Sequence, residues 1–336
     1  MHKRLFALTQ ADGVSGDEGR AAAVAAEQLG LYCDVTIDRN HNVLGALRAG
    51  AKESDVHVLL DAHLDEIGMI VTAIGDDGFV QAGCIGGVQA RSLPGSEVVI
   101  HGREEVYGVF GAMPPHLQKA DEAKSVDPDA CYIDTGYPAE ALKERIRLGD
   151  SISFIGKPAL LLHGRLMSKA MDDRACCAIL VRVAERLTAE PPRCRVSICC
   201  NTKEEIGGQG ARCAAFALRP THAIAIDVTY ADETEKPKAA GCPLGSGAAV
   251  GIAANLSQPM FESLLRVAEQ HDIAHTIEVM TGATHTDADA LCVSREGVPS
   301  AVVSLPLRYM HTPNEICDPA DLDSIVELLV RYVQSL

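Results

Sequence analysis

The chain has 336 residues, 47% apolar and 23% charged, a length and balance that support a large buried core and exclude disordered, fibrous and membrane-spanning classes. Its formal charge of −16 comes with no basic block, which argues against nucleic acid and anionic membranes as partners. The start, Met1-His2-Lys3-Arg4-Leu5-Phe6, lacks the apolar run of a signal peptide, so a cytoplasmic location is expected. The 12 cysteines agree with a reducing compartment: Cys176-Cys177 and Cys199-Cys200 lie in apolar runs, where a free thiol packs as a small hydrophobe, and no CxxC zinc pattern occurs.

Residues 2–30 read as two helices, the second starting near Ser15-Gly16-Asp17-Glu18, where a serine cap and early carboxylates mark a helix start. An apolar run over residues 56–60 ends directly in Asp61-Ala62-His63-Leu64-Asp65-Glu66, the pattern of a buried strand delivering polar residues at its C-terminal end. Open α/β sheets bind ligands at that edge. Residues 68–154 change to short alternating strands broken by Gly and Pro, such as 95–102 and 106–111, which predicts a small β-barrel. Helical and buried-strand patterns then resume, with helices over 174–187, 208–217 and 259–271, strands over 196–200, 223–226 and 301–305, and a closing helix over 319–336. The simplest reading is one α/β domain, residues 1–68 and 155–336, interrupted by a β insertion over residues 69–154.

Five acidic or histidine clusters fall just after predicted strands or at helix starts: His63-Leu64-Asp65-Glu66, Asp172-Asp173-Arg174, Glu204-Glu205, Asp227, and His311 with Glu315. Singly, each has a plain explanation, since an Asp before a helix caps it, a Glu pair is solvated and a His is a satisfied polar group. Together they would converge on one sheet edge. Carboxylates gathered in that way must be solvated, protonated or metal-bound, and metal is the economical answer. Mixed His and carboxylate ligands suit zinc, cobalt or manganese better than calcium.

Ala62-His63-Leu64-Asp65-Glu66-Ile67-Gly68, Met171-Asp172-Asp173-Arg174, Glu204-Glu205-Ile206-Gly207, Ala225-Ile226-Asp227-Val228-Thr229, Thr286-Asp287-Ala288 and Arg308-Tyr309-Met310-His311-Thr312 resemble, in matching order, the tetrahedral aminopeptidases, the family of glutamyl and deblocking aminopeptidases. Val106-Tyr107-Gly108-Val109 through Pro114-Pro115-His116-Leu117 also resembles that family's inserted domain. The resemblance implies a mixed-sheet peptidase domain with helices on both faces, an inserted barrel that makes dimer contacts, and a homododecamer admitting short peptides with a free N-terminus. It implies two divalent metal ions per subunit, zinc or cobalt, held by His63, Asp172, Glu205, Asp227 and His311, with Asp172 bridging. Each ion would take one histidine and one of Glu205 and Asp227. Glu204 would be the general base, and Asp65 would orient His63. Relatives place a non-proline cis bond after the bridging aspartate, so Asp172-Asp173 is expected to be cis.

Other reactions fit parts of this pattern. A carboxypeptidase or N-acyl amino acid deacylase could use the same two metals; paired carboxylates alone could serve a glycosidase, although His63 and His311 in ligand positions argue against it. A catalytically silent shell subunit would be favoured by a missing ligand, and none is missing. In Thr284-His285-Thr286-Asp287 the chain carries His285 where relatives more often carry glycine, which marks either an incidental surface histidine or an altered specificity pocket or extra ligand. His116 is read as a structural residue of the insertion.

Overall fold

In the computed structural model, which describes residues 2–111, 131–232 and 242–336, two helices, α1 (His2–Gln10) and α2 (Gly19–Leu29), lead into strands β1 (Cys33–Ile37), β2 (Val43–Leu47) and β3 (His57–His63). Then come β4 (Gly68–Ile74), β5 (Val80–Ile85), β6 (Glu97–His101), β7 (Glu105–Phe110), β8 (Tyr132–Asp134), α3 (Ala139–Arg145) and β9 (Ser151–Phe154). The chain continues through β10 (Ala159–Leu160), β11 (Leu166–Ser168), α4 (Met171–Ala189), β12 (Arg195–Asn201), α5 (Gln209–Leu218) and β13 (His222–Tyr230). It ends with β14 (Ala248–Ile252), α6 (Gln258–Gln270), β15 (His275–Val279), α7 (Ala288–Leu291), β16 (Ser300–Leu307), β17 (Glu315–Cys317) and α8 (Pro319–Ser335).

Eight strands form one mixed sheet in the order β1-β2-β12-β3-β13-β16-β14-β15. Its centre, β12-β3-β13-β16, is parallel, so the C-terminal ends of four strands open on the same edge. Every residue of β3 is buried, as a strand covered on both faces requires. On one face Val58, Leu60, Ile198, Ile224 and Val303 pack with α1, α2, α4, α6 and α8. On the other, Leu59, Cys199, Ala223 and Ala225 meet Ala211, Ala214 and Ala215 of α5 and Ala288 of α7; small side chains on both sides let those short helices lie close to the strands. Each large aliphatic side chain so buried contributes about 1.5–3 kcal/mol.

α4 is buried along most of its length, including Arg174 at 0% exposure. Its guanidinium donates to the carbonyls of Leu64 (2.8 Å), Leu8 (3.1 Å), Ala11 and Gly13 (3.3 Å), and it pairs with Glu66. A buried cation is tolerated because these partners replace its water. The result ties α1, the turn before α2 and the end of β3 to the helix that carries Asp172.

Six strands, β4-β5-β8-β7-β6-β9, close a small barrel. Strict alternation on β7 sends Val106 and Phe110 inward with Met69, Val98, Ile100, Ile133 and Ile152, while Tyr107 and Val109 face out. The barrel leaves the main sheet at Gly68, where a Cβ would sit 2.4 Å from the Val14 side chain. No helix among the described residues is long and apolar enough to cross a membrane.

The mixed α/β architecture with a barrel between its two segments is the one expected. Some local expectations differ. β3 extends through His63 instead of ending before it. α2 starts at Gly19, and Ser15, expected to cap it, gives its hydroxyl to Asp65 at 2.5 Å: a tertiary partner outcompetes the local one. A three-stranded sheet, β10-β11-β17, and the antiparallel edge β1-β2 had no clear sequence signal. Pro114-Pro115-His116-Leu117 lies outside the described residues.

Candidate metal centre

The C-terminal edge of the parallel strands carries the predicted ligands. β3 ends on His63, β13 presents Asp227, the turn after β12 presents Glu204 and Glu205, α4 opens on Asp172, and the turn between β16 and β17 carries His311. The ligating atoms fall into two groups, His63, Asp172 and Asp227, and Asp172, Glu205 and His311, in each of which all lie within 4.8 Å of one another. Asp172 belongs to both. Its Oδ1 is 3.0 Å from His63 Nε2 and its Oδ2 is 3.2 Å from His311 Nε2, so it presents one oxygen to each imidazole. Geometry thereby divides the two end carboxylates, Asp227 with His63 and Glu205 with His311. The Asp172-Asp173 peptide is cis, as expected from the resemblance.

Each imidazole is aimed by its other nitrogen. His63 Nδ1 lies 3.1 Å from the Asp65 carbonyl and 3.6 Å from its carboxylate, and His311 Nδ1 lies 2.9 Å from the Gly87 carbonyl. With Nδ1–H donating in both, each Nε2 is directed at the centre, where the neutral ring would offer the lone pair that a metal ligand needs. Asp65 also accepts from the backbone N–H of Glu204 (3.1 Å) and Glu205 (3.3 Å), so one fully buried carboxylate places both a histidine and the Glu204-Glu205 turn.

The electrostatics of this cluster call for added positive charge. Burial, reinforced by Asp227, Asp287 and Asp172 against His63, pushes Glu204 up to about 10. Burial and neighbouring carboxylates likewise hold Asp227 and Asp173 well above the usual carboxylate range. Against burial, contacts with Asp172 and Glu205 raise His311 to about 11, and contacts with Asp172 and Asp65 raise His63 well above its ordinary value. The surrounding carboxylates thus favour positive charge at both imidazoles, a charge that divalent cations would supply in their place. A donor set of two histidines and three carboxylates, one of them shared, fits two divalent ions of the zinc, cobalt or manganese type.

Two supporting groups were not assigned by sequence reading. Glu315, seen only as a neighbour of His311, is buried and accepts from the backbone N–H of His311 (2.7 Å) and of Asp172 (3.0 Å), locking together the segments that carry the shared ligand and one histidine. Gly87 comes from the loop after β5, and a Cβ there would sit 2.5 Å from His311 Nδ1. A single Gly in a Gly-rich loop gives no signal of that contact. Beneath the centre, Asn201 donates to Asp61 (2.9 Å) and Asp287 (2.6 Å), all three buried.

The centre opens into a cavity of about 630 Å³ whose lining includes Glu204, Thr229, Glu278, His285 and Asp289. His285 stands in the left-handed region, φ +55°, with its N–H given to Asp289 at 3.1 Å. It belongs to neither ligand group.

The model of the M42 glutamyl aminopeptidase family matches residues 42–328. The lysyl aminopeptidase of Pyrococcus furiosus is 31% identical over 98% of this chain and 95% of its own length. An aminopeptidase from the archaeon Desulfurococcus kamchatkensis superposes with a TM-score of 0.92 at 33% identity, covering 99% of this chain and 94% of that one. The Pyrococcus horikoshii TET1 peptidase, which can assemble into a tetrahedron or a large octahedral shell, superposes with a TM-score of 0.87 at 26% identity, covering 100% of this chain and 99% of that one. Lysyl and glutamyl specificities both occur in this company, so kinship alone does not choose a substrate. The chain belongs to the M42 glutamyl aminopeptidase family and is an aminopeptidase, a hydrolase of peptide bonds.

Proposed function

We propose that the chain is a dinuclear metalloaminopeptidase that removes N-terminal residues from short peptides, with Glu204 as general base. The observation that carries this reading is the pair of ligand groups sharing Asp172, beside a Glu204 that lines the cavity and belongs to neither group. When bound, two divalent cations, zinc or cobalt, would polarise the scissile carbonyl and lower the pKa of the attacking water toward about 7. Glu204 takes the water's proton and returns it to the leaving amine. Asp65 holds that glutamate's backbone and orients His63, and Glu315 fixes the spacing of Asp172 and His311. Glu204 and Glu205, adjacent in sequence, have separate work, one on the proton and one on the cation.

We further propose a cytoplasmic homododecamer built from dimers. Supporting this are the buried thiols of Cys176, Cys177, Cys199 and Cys200, packed as small hydrophobes, and exposed apolar side chains on the barrel and beside it, Tyr107, Tyr132, Leu160 and Leu162. A deacylase or carboxypeptidase on the same centre is the competing chemistry. Matched substrates separate them: free-amine aminoacyl-anilides, their N-acetylated forms, and N-blocked peptides with a free C-terminus, each with and without chelator. Chelator-sensitive cleavage confined to the free-amine set is expected. Preferential cleavage of either N-blocked set would overturn the assignment.

A further inference from the structure

Outside the metal centre, the charged side chains lining the cavity are Glu278, Asp289 and Arg212, besides the imidazole of His285. Asp289 is already satisfied: it accepts the N–H of Thr284 (3.0 Å) and His285 (3.1 Å), the Thr284 hydroxyl (2.8 Å) and the Asn255 amide (2.6 Å). It clamps a loop. Arg212 stands on α5, which packs on α7 and β12, whereas Glu278 stands on β15, the last strand at the other end of the sheet.

Glu278 is different from Asp289. It is half-buried, its carboxylate accepts from the Thr229 hydroxyl and lies by the Ser304 hydroxyl, and none of the ion pairs among the described residues includes it. A carboxylate removed from water and held only by hydroxyls is short of a cation. Burial raises its pKa despite those hydroxyls, in keeping with that shortage.

Its place relative to the centre follows from the strand. Thr229 is two residues beyond Asp227 on β13 and so shares its face, about 7 Å further along at the usual rise. The Glu278 carboxylate reaches the Thr229 hydroxyl from the side, from β15 across β14 and β16. Glu278 and Thr229 line the same cavity as the ligand groups, so the first side chain of a substrate bound at the centre has Glu278 within its reach. A lysine carries its ammonium on a flexible four-carbon stem, and an arginine its guanidinium on a similar one. A neutral side chain would desolvate the carboxylate with nothing in return, and an acidic one would be repelled.

Resting on the aminopeptidase reading, we propose that Glu278 is the specificity-determining residue of this cavity and selects peptides whose N-terminal residue has a cationic side chain, lysine or arginine. The formal charge of −16 favours the approach of such peptides.

Lysine and norleucine anilides test this directly, because they share the same stem and differ by the terminal ammonium. With metal-loaded protein, lysine should exceed norleucine at least about 10-fold in kcat/KM, and Glu278→Gln should lower the lysine value about 10- to 100-fold, mainly through KM, while norleucine stays within about twofold. Competitive inhibition by lysinamide should weaken in parallel, and by norleucinamide should not. Glu278→Asp, which keeps the charge on a shorter arm, should retain a preference for arginine, guarding against a fold defect in the Gln variant. Norleucine cleaved as well as lysine, or equal losses for both in Glu278→Gln with arginine preference absent in Glu278→Asp, would overturn the proposal while leaving the aminopeptidase intact. Cleavage of neither substrate by fully metallated protein would overturn both.

Discussion

Gly87→Ala probes how the barrel loop positions His311 in the candidate metal centre. Gly87 does not require a left-handed backbone, so alanine is conformationally acceptable there and the effect is steric. Its Cβ would stand 2.5 Å from His311 Nδ1 and 2.7 Å from Cε1. Ordinary contact needs about 3.5 Å, so the ring or the loop must retreat by about 1 Å. That movement weakens the Gly87 carbonyl bond that aims Nε2 and takes the ring away from Asp172 and Glu205. Losing one orienting hydrogen bond costs about 10- to 100-fold in metal affinity, and a misplacement of about 1 Å costs about 100-fold in rate. The loss should be selective, because His63, Asp172 and Asp227 are not touched. Competitive chelator titration followed by metal analysis should find one ion retained and the other weakened, with kcat down about 100-fold. Two ions held with unchanged affinity and an unchanged kcat would refute the reasoning.

Glu315→Gln keeps the shape but offers one acceptor and one donor to two backbone N–H groups, so one of them loses its partner, at about 1–3 kcal/mol; weaker binding of both ions and a lower Tm should appear together in calorimetry of apo and loaded protein. Asp65→Asn should reduce affinity at the His63 group about 10- to 100-fold, read by isothermal titration, because it exchanges the carboxylate facing Nδ1 for an amide and disturbs the Glu204-Glu205 turn. Asp12 is held below its ordinary value, against burial, by Lys169 at 2.6 Å and by Ser153. A depressed carboxylate stabilises the fold above its unfolded pKa of about 3.9 and loses that contribution as the pH falls through the folded value. Urea unfolding of metal-free protein should therefore lose stability below about pH 4, and Asp12→Asn should flatten that loss; an unchanged profile would count against the pairing.

The parts legible in sequence were those written as continuous apolar runs ending in polar residues. Residues 56–60 announced β3, and the polar residues after them announced the edge where the site lies, because a strand covered on both faces leaves no other place for His63 and Asp65. The order of motifs carried the proposed ligand set, whose side chains fall into the two groups that share Asp172. What could not be read depends on partners distant in sequence. Ser15 has the local signature of a cap, yet its hydroxyl goes to Asp65. Glu315 sits four residues from His311, and its second bond, to Asp172, spans 143 positions. Gly87 matters for the atoms it leaves room for, which no residue type reports. Glu278 lies on a strand whose burial does not alternate cleanly, and its meaning comes from Thr229 across the sheet floor.

Glu204→Gln tests the central chemistry most directly. Metal content and steady-state cleavage of a free-amine aminoacyl-anilide should be measured on the same loaded preparation. Two ions per subunit retained, with cleavage abolished, is the expected result, since Glu204 lies outside both ligand groups and lines the cavity. Undiminished cleavage by the variant, or full activity of the unaltered protein after chelator has removed all metal, would contradict the two-metal, Glu204-based mechanism.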